Sequence, residues 1–134
     1  MIFVDTSGWF ARLVPTDPNH TAAFEWTRQN QKRLVTTDYI IDETLTLLRS
    51  RGHTAYALSL GEQLFRHGIA DIHFLAEEEI LAAWEVFRDY RDKEWSFTDA
   101  TSKVVIERLG LGQAFAFDRH FQQFGAVEVV PPLP

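Results

Sequence analysis

Short strand-like segments alternate with helical segments along almost the whole chain, and this alternation constrains the fold more than any other feature. The strand-like segments are residues 2–5, 33–37, 70–75, 113–117 and 127–130. The helical segments are residues 7–14, 20–31, 38–51, 53–67, 77–90 and 98–109, with a short helical turn at 119–124. Strands that alternate with helices form mainly parallel sheets, which helices cover on both faces. The sequence therefore predicts an α/β fold of three layers, with about five strands in the central sheet.

Length and charge narrow the class of protein. The chain of 134 residues fits one domain, and we expect residues 1–134 to form it. Its 13 Lys and Arg against 19 Asp and Glu give a net charge of −6, which argues against a simple basic nucleic-acid-binding module. The charge does not exclude a nuclease, since a bound metal ion reverses the local sign. The absence of Cys excludes a thiolate nucleophile and a cysteine-ligated zinc site.

The N-terminal segment does not resemble a signal peptide, because it has neither a basic n-region nor a long apolar h-region. No apolar run approaches the ~20 residues that a membrane span requires. From these two features we expect a cytoplasmic protein without a membrane anchor.

Acidic side chains follow two of the predicted strands. The apolar run 2–4 leads directly into Asp5, and the run 114–117 leads into Asp118. The carboxyl ends of parallel strands meet at one edge of the sheet, which is where open α/β folds bind ligands. Asp99 lies at the start of the helix 98–109 and therefore reaches the same edge. We expect these three carboxylates to lie close together.

Glu43 is a fourth acid with an inward position. At the helical angle of 100° per residue it lies about 40° from Leu47, at the border of the apolar stripe that also contains Ile40 and Leu48. Asp42 falls on the opposite, outward side, so the geometry favours Glu43 over its neighbour.

Four carboxylates at one edge repel each other and require a cation. Hard oxygen ligands without a His or Cys cluster favour Mg²⁺ or Mn²⁺.

Each acid also has a purely structural interpretation. Asp5 and Asp118 suit the N-caps of the helices that follow them. Ser96 and Asp99 have the spacing of a capping box, and Asp99 has the right spacing for a helix-surface ion pair with Lys103. What favours a functional interpretation is the coincidence of four acids at one edge with few basic partners beside them in the sequence.

Hydroxyl and imidazole side chains near the acids are less informative. Thr6, Ser7 and Thr98 are candidates for orienting the carboxylates or a phosphate, and equally for capping helices. His73 and His120 are not needed as metal ligands, and we interpret both as surface or packing histidines.

Basic residues that could contact a nucleic acid are few. Arg91 and Lys93 flank Trp95 in a polar loop, where cationic and aromatic side chains together suit a phosphate and a stacked base. Arg119 beside Asp118 is a further candidate. The alternative to nucleic-acid binding by Arg91, Lys93 and Trp95 is a solvated loop in which Trp95 packs inward.

The acid-bearing segments resemble the signature segments of PIN-domain nucleases, and more narrowly those of VapC-type ribonuclease toxins of toxin–antitoxin pairs. The resemblance rests on Ile2-Phe3-Val4-Asp5-Thr6-Ser7, Glu43, Ser96-Phe97-Thr98-Asp99-Ala100 and Ala116-Phe117-Asp118-Arg119-His120-Phe121. It covers nearly the whole chain, and no single motif is specific without the order and spacing of the others. It implies a PIN domain whose acidic site is Asp5, Glu43, Asp99 and Asp118.

The resemblance also implies an activity and partners. We expect an endoribonuclease dependent on Mg²⁺ or Mn²⁺, with Asp5 and Asp99 as the principal ligands and with Glu43 and Asp118 completing the site through water or a second ion. The metal would polarise the scissile phosphate and lower the pKa of an attacking water. The family further implies an RNA substrate, a cognate antitoxin protein and homodimerisation.

Two other functions are compatible with clustered acids on such a fold. A receiver-like phosphotransfer domain also binds Mg²⁺, but it requires an early acidic pair and an acid after the strand 70–75, and both are missing. A non-catalytic interaction module could use the same fold as a scaffold, although the intact set of four acids weighs against it. Stabilisation of the folded state by Mn²⁺ would distinguish a metal site from such a scaffold.

Overall fold

Five parallel strands form one sheet in the computed structural model, which describes residues 1–132. The strands are β1 (Ile2–Val4), β2 (Leu34–Thr37), β3 (Asp71–His73), β4 (Gln113–Phe115) and β5 (Glu128–Val130). Their order across the sheet is β3-β2-β1-β4-β5, and all neighbours are parallel. The predicted α/β class with a parallel sheet of five strands is confirmed.

Six α-helices and one 3₁₀ helix connect these strands within the described residues. They are α1 (Thr6–Leu13), α2 (His20–Gln29), α3 (Asp38–Ser50), α4 (Thr54–Phe65), α5 (Glu77–Asp89), α6 (Phe97–Leu109) and the 3₁₀ helix Arg119–Phe124. Each predicted element is present, and its bounds differ from the prediction by no more than two residues. None of the helices in this part of the chain combines the length and the apolar character that a membrane span needs.

The strand order places a topological switch point between β1 and β4. The chain runs from β1 outward to β2 and β3, and then returns to the other side of β1 as β4. Right-handed crossovers in opposite directions put their helices on opposite faces of the sheet. α1 packs on α2 and α3, whereas α6 packs on α5 and on the 3₁₀ helix and also touches α3. The crevice at a switch point is the usual ligand site of an open α/β sheet.

The strands beside the switch point are held by aromatic packing. Phe3 of β1 is fully buried and its ring centroid lies 6.0 Å from that of Phe121. Trp26 of α2 stacks on Phe115 of β4, with 4.4 Å between the ring centroids. Such packing holds β1 and β4 in one arrangement, so the residues at their carboxyl ends stand on a rigid support.

Gly8 allows α1 to lie directly against β4. A Cβ atom at this position would lie 2.6 Å from the carbonyl oxygen of Phe115 and 2.7 Å from its ring. We expect Gly8→Ala to force α1 away from β4 and to lower the free energy of unfolding by about 2 kcal/mol, as overpacking typically does. Urea denaturation measures the change.

Gly61→Ala in α4 is the matched control, because a Cβ there would meet no atom within 4 Å. That substitution is expected to leave stability unchanged or to raise it by up to about 1 kcal/mol through helix propensity. Equal stability of Gly8→Ala and the wild type would contradict the close packing of α1 on β4.

Candidate active site

Asp5 lies immediately after β1 and caps α1. Its Oδ2 atom accepts hydrogen bonds from the backbone N–H of Ser7, at 3.1 Å, and from the Ser7 hydroxyl, at 2.6 Å. Within residues 1–132 we find no hydrogen bond to the other oxygen, Oδ1. The N-cap interpretation of Asp5 is confirmed, but it occupies only one of the two carboxylate oxygens.

Ser7 joins the ends of the two central strands. Its hydroxyl donates to Asp5 and accepts hydrogen bonds from the backbone N–H groups of Phe117, at 2.9 Å, and Asp118, at 3.3 Å. Ser7 is therefore an orienting group, because it holds the Asp5 carboxylate in a defined position relative to the segment that carries Asp118.

Asp118 caps the 3₁₀ helix in the same way that Asp5 caps α1. Its Oδ1 atom accepts a hydrogen bond from the backbone N–H of His120 at 2.9 Å. Its side chain is partly exposed, at 37%. Asp118 thus also combines a capping oxygen with one that takes no part in the cap.

Asp99 forms the predicted capping box at the start of α6. The backbone N–H of Ser96 donates to Asp99 Oδ2, and the backbone N–H of Asp99 donates to the Ser96 hydroxyl, both at 3.0 Å. The alternative ion pair between Asp99 and Lys103 is wrong, since Lys103 instead binds Glu107 one turn further along the exposed face of α6.

His120 belongs to the site, and its interpretation as a surface or packing histidine is wrong. Its Nδ1 atom lies 2.8 Å from Oδ2 of Asp99 and 3.3 Å from Oδ1 of Asp118. Asp99, Asp118 and His120 offer potential metal-ligand atoms that all lie within 4.8 Å of one another. In the sequence, the position of His120 in the turn that Asp118 caps indicates that it lies near Asp118, but its contact with Asp99 is long-range.

His73, in contrast, pairs with the buried Glu79 of α5, with 2.9 Å between Nε2 and Oε2.

Glu43 lies on α3, which packs against α6 near Asp99. Its side chain is half-buried near the Thr6 and Thr98 hydroxyls, which oppose the effect of burial on its pKa, whereas Asp42 is exposed. The preference for Glu43 over Asp42 as the inward acid is therefore confirmed. All three predicted hydroxyl residues thus lie among the carboxylates, because Ser7 contacts Asp5.

The four carboxylates influence one another electrostatically. Burial raises the pKa of Asp5 from 3.8 to about 7, in opposition to the Ser7 hydrogen bonds, and the charges of Asp99 and Asp118 raise it further. Burial likewise raises the pKa of Glu43, and the same two charges add to the effect. The pKa of Asp99 is raised by burial, against hydrogen bonds from Ser96 and His120. Burial is the largest cause of each of these shifts, and the charges of neighbouring acids add to it.

The electrostatics and donor atoms of this group fit a divalent cation. Asp5 and Asp99 are only 3% and 6% exposed, and among the described residues the ion pairs of the four acids involve only His120. Carboxylate oxygens are the ligands that hard divalent ions bind. A cation bound here would offset both the burial of the Asp5 charge, which is the main cause of its raised pKa, and the repulsion from Asp99 and Asp118.

A cleft of about 530 Å³ opens beside Asp5, Glu43 and Asp118. Its lining contains one basic side chain, Arg51, which directly follows α3. Glu43, Leu47 and Arg51 follow one another at intervals of four residues and so share one face of the helix. This spacing was the signal that would have identified Arg51 in the sequence.

The predicted nucleic-acid contacts lie elsewhere. Arg91, Lys93 and Arg119 are not among the residues that line this cleft. Trp95 is 5% exposed, and its ring packs at 5.0 Å from the rings of both Tyr90 and Phe124. The alternative in which Trp95 packs inward is therefore correct, and stacking of a base on Trp95 is wrong.

A model of the PIN domain family matches residues 2–127. The 23S rRNA-specific endonuclease VapC20 of Mycobacterium tuberculosis is 36% identical over 137 residues, covering 98% of this chain and 99% of the relative. A VapC ribonuclease of Archaeoglobus fulgidus is 37% identical over 90 residues, which is 66% of this chain and 56% of that protein.

Solved structures agree with the sequence comparisons. The crystal structure of Mycobacterium tuberculosis VapC20, a Sarcin-Ricin loop cleaving toxin, matches with a TM-score of 0.89 and 30% identity, covering 96% of this chain and 98% of that chain. FitAcB from Neisseria gonorrhoeae matches with a TM-score of 0.70 at 18% identity over 96% of both chains, which shows the shared fold alone. The chain belongs to the PIN-domain family and, within it, to the VapC-type ribonuclease toxins.

Proposed function

We propose that this chain is the toxin of a type II toxin–antitoxin pair and hydrolyses RNA phosphodiester bonds at a metal site formed by Asp5, Glu43, Asp99 and Asp118. One observation carries the proposal. Three of the acids come from separate segments, and each uses one oxygen to cap its own helix while the other takes no part in the cap. We also propose that residues 1–134 act as a single PIN domain.

The proposed cation is Mg²⁺ or Mn²⁺, since both prefer carboxylate and water ligands. Asp5 and Asp99 are proposed as the principal ligands because they are the most buried of the four acids and have the least access to solvating water. Glu43 and Asp118 are more exposed and would complete the site through water or a second ion.

The chain's own residues prepare the site for this chemistry. When bound, the cation supplies electrostatic stabilisation of the phosphate and lowers the pKa of an attacking water. Ser7 holds Asp5 against the end of β4. The hydroxyls of Thr6 and Thr98 are proposed to orient Glu43, whose pKa they lower against the effect of burial. Hydrogen bonds of this kind fix the orientation of a carboxylate, which is how metal-ligand groups are generally kept in position.

The proposed substrate is structured ribosomal RNA, because the VapC20 relative is named as specific for 23S rRNA. Cleavage ends mapped in total cellular RNA test the function. We expect discrete new ends with the wild type in Mg²⁺ or Mn²⁺, and none with Asp5→Asn or with a chelator. Equal cleavage by the wild type and Asp5→Asn would overturn the proposal. A stable aspartyl phosphate after incubation with acetyl phosphate would instead support the receiver-like alternative.

Arg51 is proposed to bind a backbone phosphate of the RNA beside the acids. We expect Arg51→Ala to lower kcat/KM for RNA about tenfold, mainly through KM, because a charge-assisted contact to phosphate contributes about 1.5 kcal/mol. Arg49→Ala is the matched control: it removes the same charge from the end of α3 but lies away from the cleft. Steady-state kinetics of RNA cleavage measure both variants, and equal effects of the two substitutions would contradict a specific contact between Arg51 and phosphate.

The exposed Arg91 and Arg119 and the half-exposed Lys93 are proposed as outer RNA contacts.

Family membership also supports proposals about partners. We propose that the chain forms a homodimer and binds a cognate antitoxin in the cytoplasm, where its RNA substrate lies. Large apolar side chains exposed on α4 and α5, among them Leu58, Phe65, Leu81 and Trp84, are compatible with protein contacts. Light scattering of the purified chain tests the dimer, and loss of cleavage on addition of the cognate antitoxin protein tests that partner.

A further inference from the structure

His120 links the two acid-bearing segments that close the site. Its backbone N–H donates to Asp118 Oδ1 at 2.9 Å, and its side-chain Nδ1 contacts Asp99 Oδ2 at 2.8 Å. Asp99 stands at the N-terminus of α6, whereas His120 and Asp118 follow β4. The next residue, Phe121, is fully buried and anchors this turn in the core. His120 is therefore a fixed bridge between α6 and the end of the sheet.

The chemistry of the contact with Asp99 assigns a donor role to the imidazole. A carboxylate oxygen in this position accepts hydrogen bonds, so Nδ1 must carry the hydrogen at 2.8 Å. The same oxygen, Oδ2, also accepts the Ser96 backbone N–H at 3.0 Å. Two donors on Oδ2 fix the rotation of the carboxylate about χ2. The remaining oxygen, Oδ1, accepts no hydrogen bond that we find in residues 1–132, and it is thereby directed away from both donors.

We propose that His120 is a positioning residue: its Nδ1–H holds Asp99 Oδ2 so that Oδ1 is presented to the divalent cation. This inference rests on the proposed metal site and adds to it a residue outside the four acids. The Ser96 cap is local to α6 and orients Asp99 relative to its own helix only. His120 orients Asp99 relative to Asp118, which a capping box cannot do. Loss of such a supporting hydrogen bond typically weakens metal binding by about 10–100-fold.

Two substitutions separate the donor from the bulk of the ring. His120→Asn retains an N–H donor on a short side chain, whereas His120→Leu keeps apolar volume and removes the donor. Calorimetric titration with Mn²⁺ is expected to give an affinity about 10–100-fold weaker for His120→Leu and within about threefold of wild type for His120→Asn. With saturating metal, kcat is expected to fall for His120→Leu with little change in KM. His67→Leu, at an exposed site beyond α4, is the control for loss of an imidazole.

A spectroscopic measurement distinguishes positioning from direct ligation. Electron spin-echo modulation of bound Mn²⁺ detects nitrogen in the coordination sphere, and we expect no such signal from His120 in the wild type. A nitrogen signal that disappears in both His120 variants would overturn the positioning role in favour of ligation. Unchanged Mn²⁺ affinity of His120→Leu would overturn it as well.

A metal-free readout keeps this inference distinct from the proposed function. The long-range proton–nitrogen NMR spectrum of the imidazole is expected to show hydrogen on Nδ1 in the wild type, and the same signal in Asp5→Asn. A neutral ring with hydrogen on Nε2 alone would overturn the donor role whether or not metal binds. The opposite result is also informative. If the Nδ1–H signal is present but the wild type does not bind Mn²⁺, the proposed metal site is overturned, and so is the presentation of Oδ1 to a cation.

Discussion

Asp5→Asn is expected to lower metal-dependent RNA cleavage by about 10³-fold while the fold is retained. The Asn carbonyl can still accept the Ser7 hydrogen bonds that cap α1, but the side chain no longer carries the charge that attracts a cation. A metal ion contributes several kcal/mol to the transition state, and about 4 kcal/mol corresponds to a factor of about 10³. Single-turnover rates on a defined RNA at saturating Mn²⁺ measure the effect.

Asp42→Asn is the control for this substitution. Asp42 is exposed on the outward side of α3 beside Glu43, so the change removes one negative charge near the site without touching it. Its rate is expected to stay within about twofold of wild type, as is usual for an exposed charge that makes no defined contact. If Asp5→Asn retained more than about a tenth of the wild-type rate, Asp5 would not be a principal ligand.

The metal-free protein is expected to lose stability as the pH rises from about 4 to about 7. The pKa of Asp5 is raised in the folded state from 3.8 to about 7, chiefly by burial, so the folded state binds the proton more tightly than the unfolded chain does. The protonated Asp5 therefore stabilises the folded state fully at a pH below the pKa of Asp5 in the unfolded chain. This stabilisation is lost as the pH rises through the pKa of Asp5 in the folded state. A shift of about three units corresponds to roughly 4 kcal/mol. Burial raises the pKa of Glu43 and of Asp99 in the same direction.

Urea unfolding in the presence of a chelator, at several pH values across this window, measures the loss. The difference between the wild type and Asp5→Asn isolates the contribution of Asp5 from that of other titrating groups, such as Glu43 and Asp99. The Asn variant is expected to be the more stable protein at about pH 8, since it buries no charge there. Added Mn²⁺ should restore the wild type through binding to the folded state only. Identical pH profiles for the two proteins would contradict the burial of an ionisable Asp5.

These two effects share one cause. The site buries carboxylates close to one another, and the fold tolerates this because the same residues cap helices with their other oxygens. Capping and metal binding therefore do not compete as interpretations of Asp5, Asp99 or Asp118. Sequence reasoning treated them as alternatives because a sequence does not distinguish one oxygen of a carboxylate from the other.

Local patterns predicted most of the fold and the main acids of the site. The strand and helix bounds follow from periodicity and from residues such as the Ser96 cap, which act within one element. The choice of Glu43 over Asp42 needed only the angle of 100° per residue. The gathering of Asp5 and Asp118 needed only the rule that parallel strands end at one edge.

Two of the residues whose interpretation the structure changed depend on contacts between distant segments. His120 reaches Asp99 across 21 positions of sequence, and Trp95 donates its indole N–H to Gln123 across 28 positions. Lys103 lies four residues from two acids, Asp99 and Glu107, and it pairs with Glu107, whereas Asp99 contacts Ser96 and His120. Arg51 has the same four-residue spacing from Leu47 as Leu47 has from Glu43, but the cleft that all three line is formed by several segments.

Periodicity, caps and strand ends are properties of neighbouring residues, so they were enough to predict the α/β class, the parallel sheet and the four acids proposed for the site. The packed fold was needed to show which oxygens of Asp5, Asp99 and Asp118 are engaged, which basic groups lie beside the acids, and in which direction the pKa of Asp5 shifts. The physical reason is that burial and electrostatic repulsion depend on distances through space, and these are settled when β1, β4, α3 and α6 pack together.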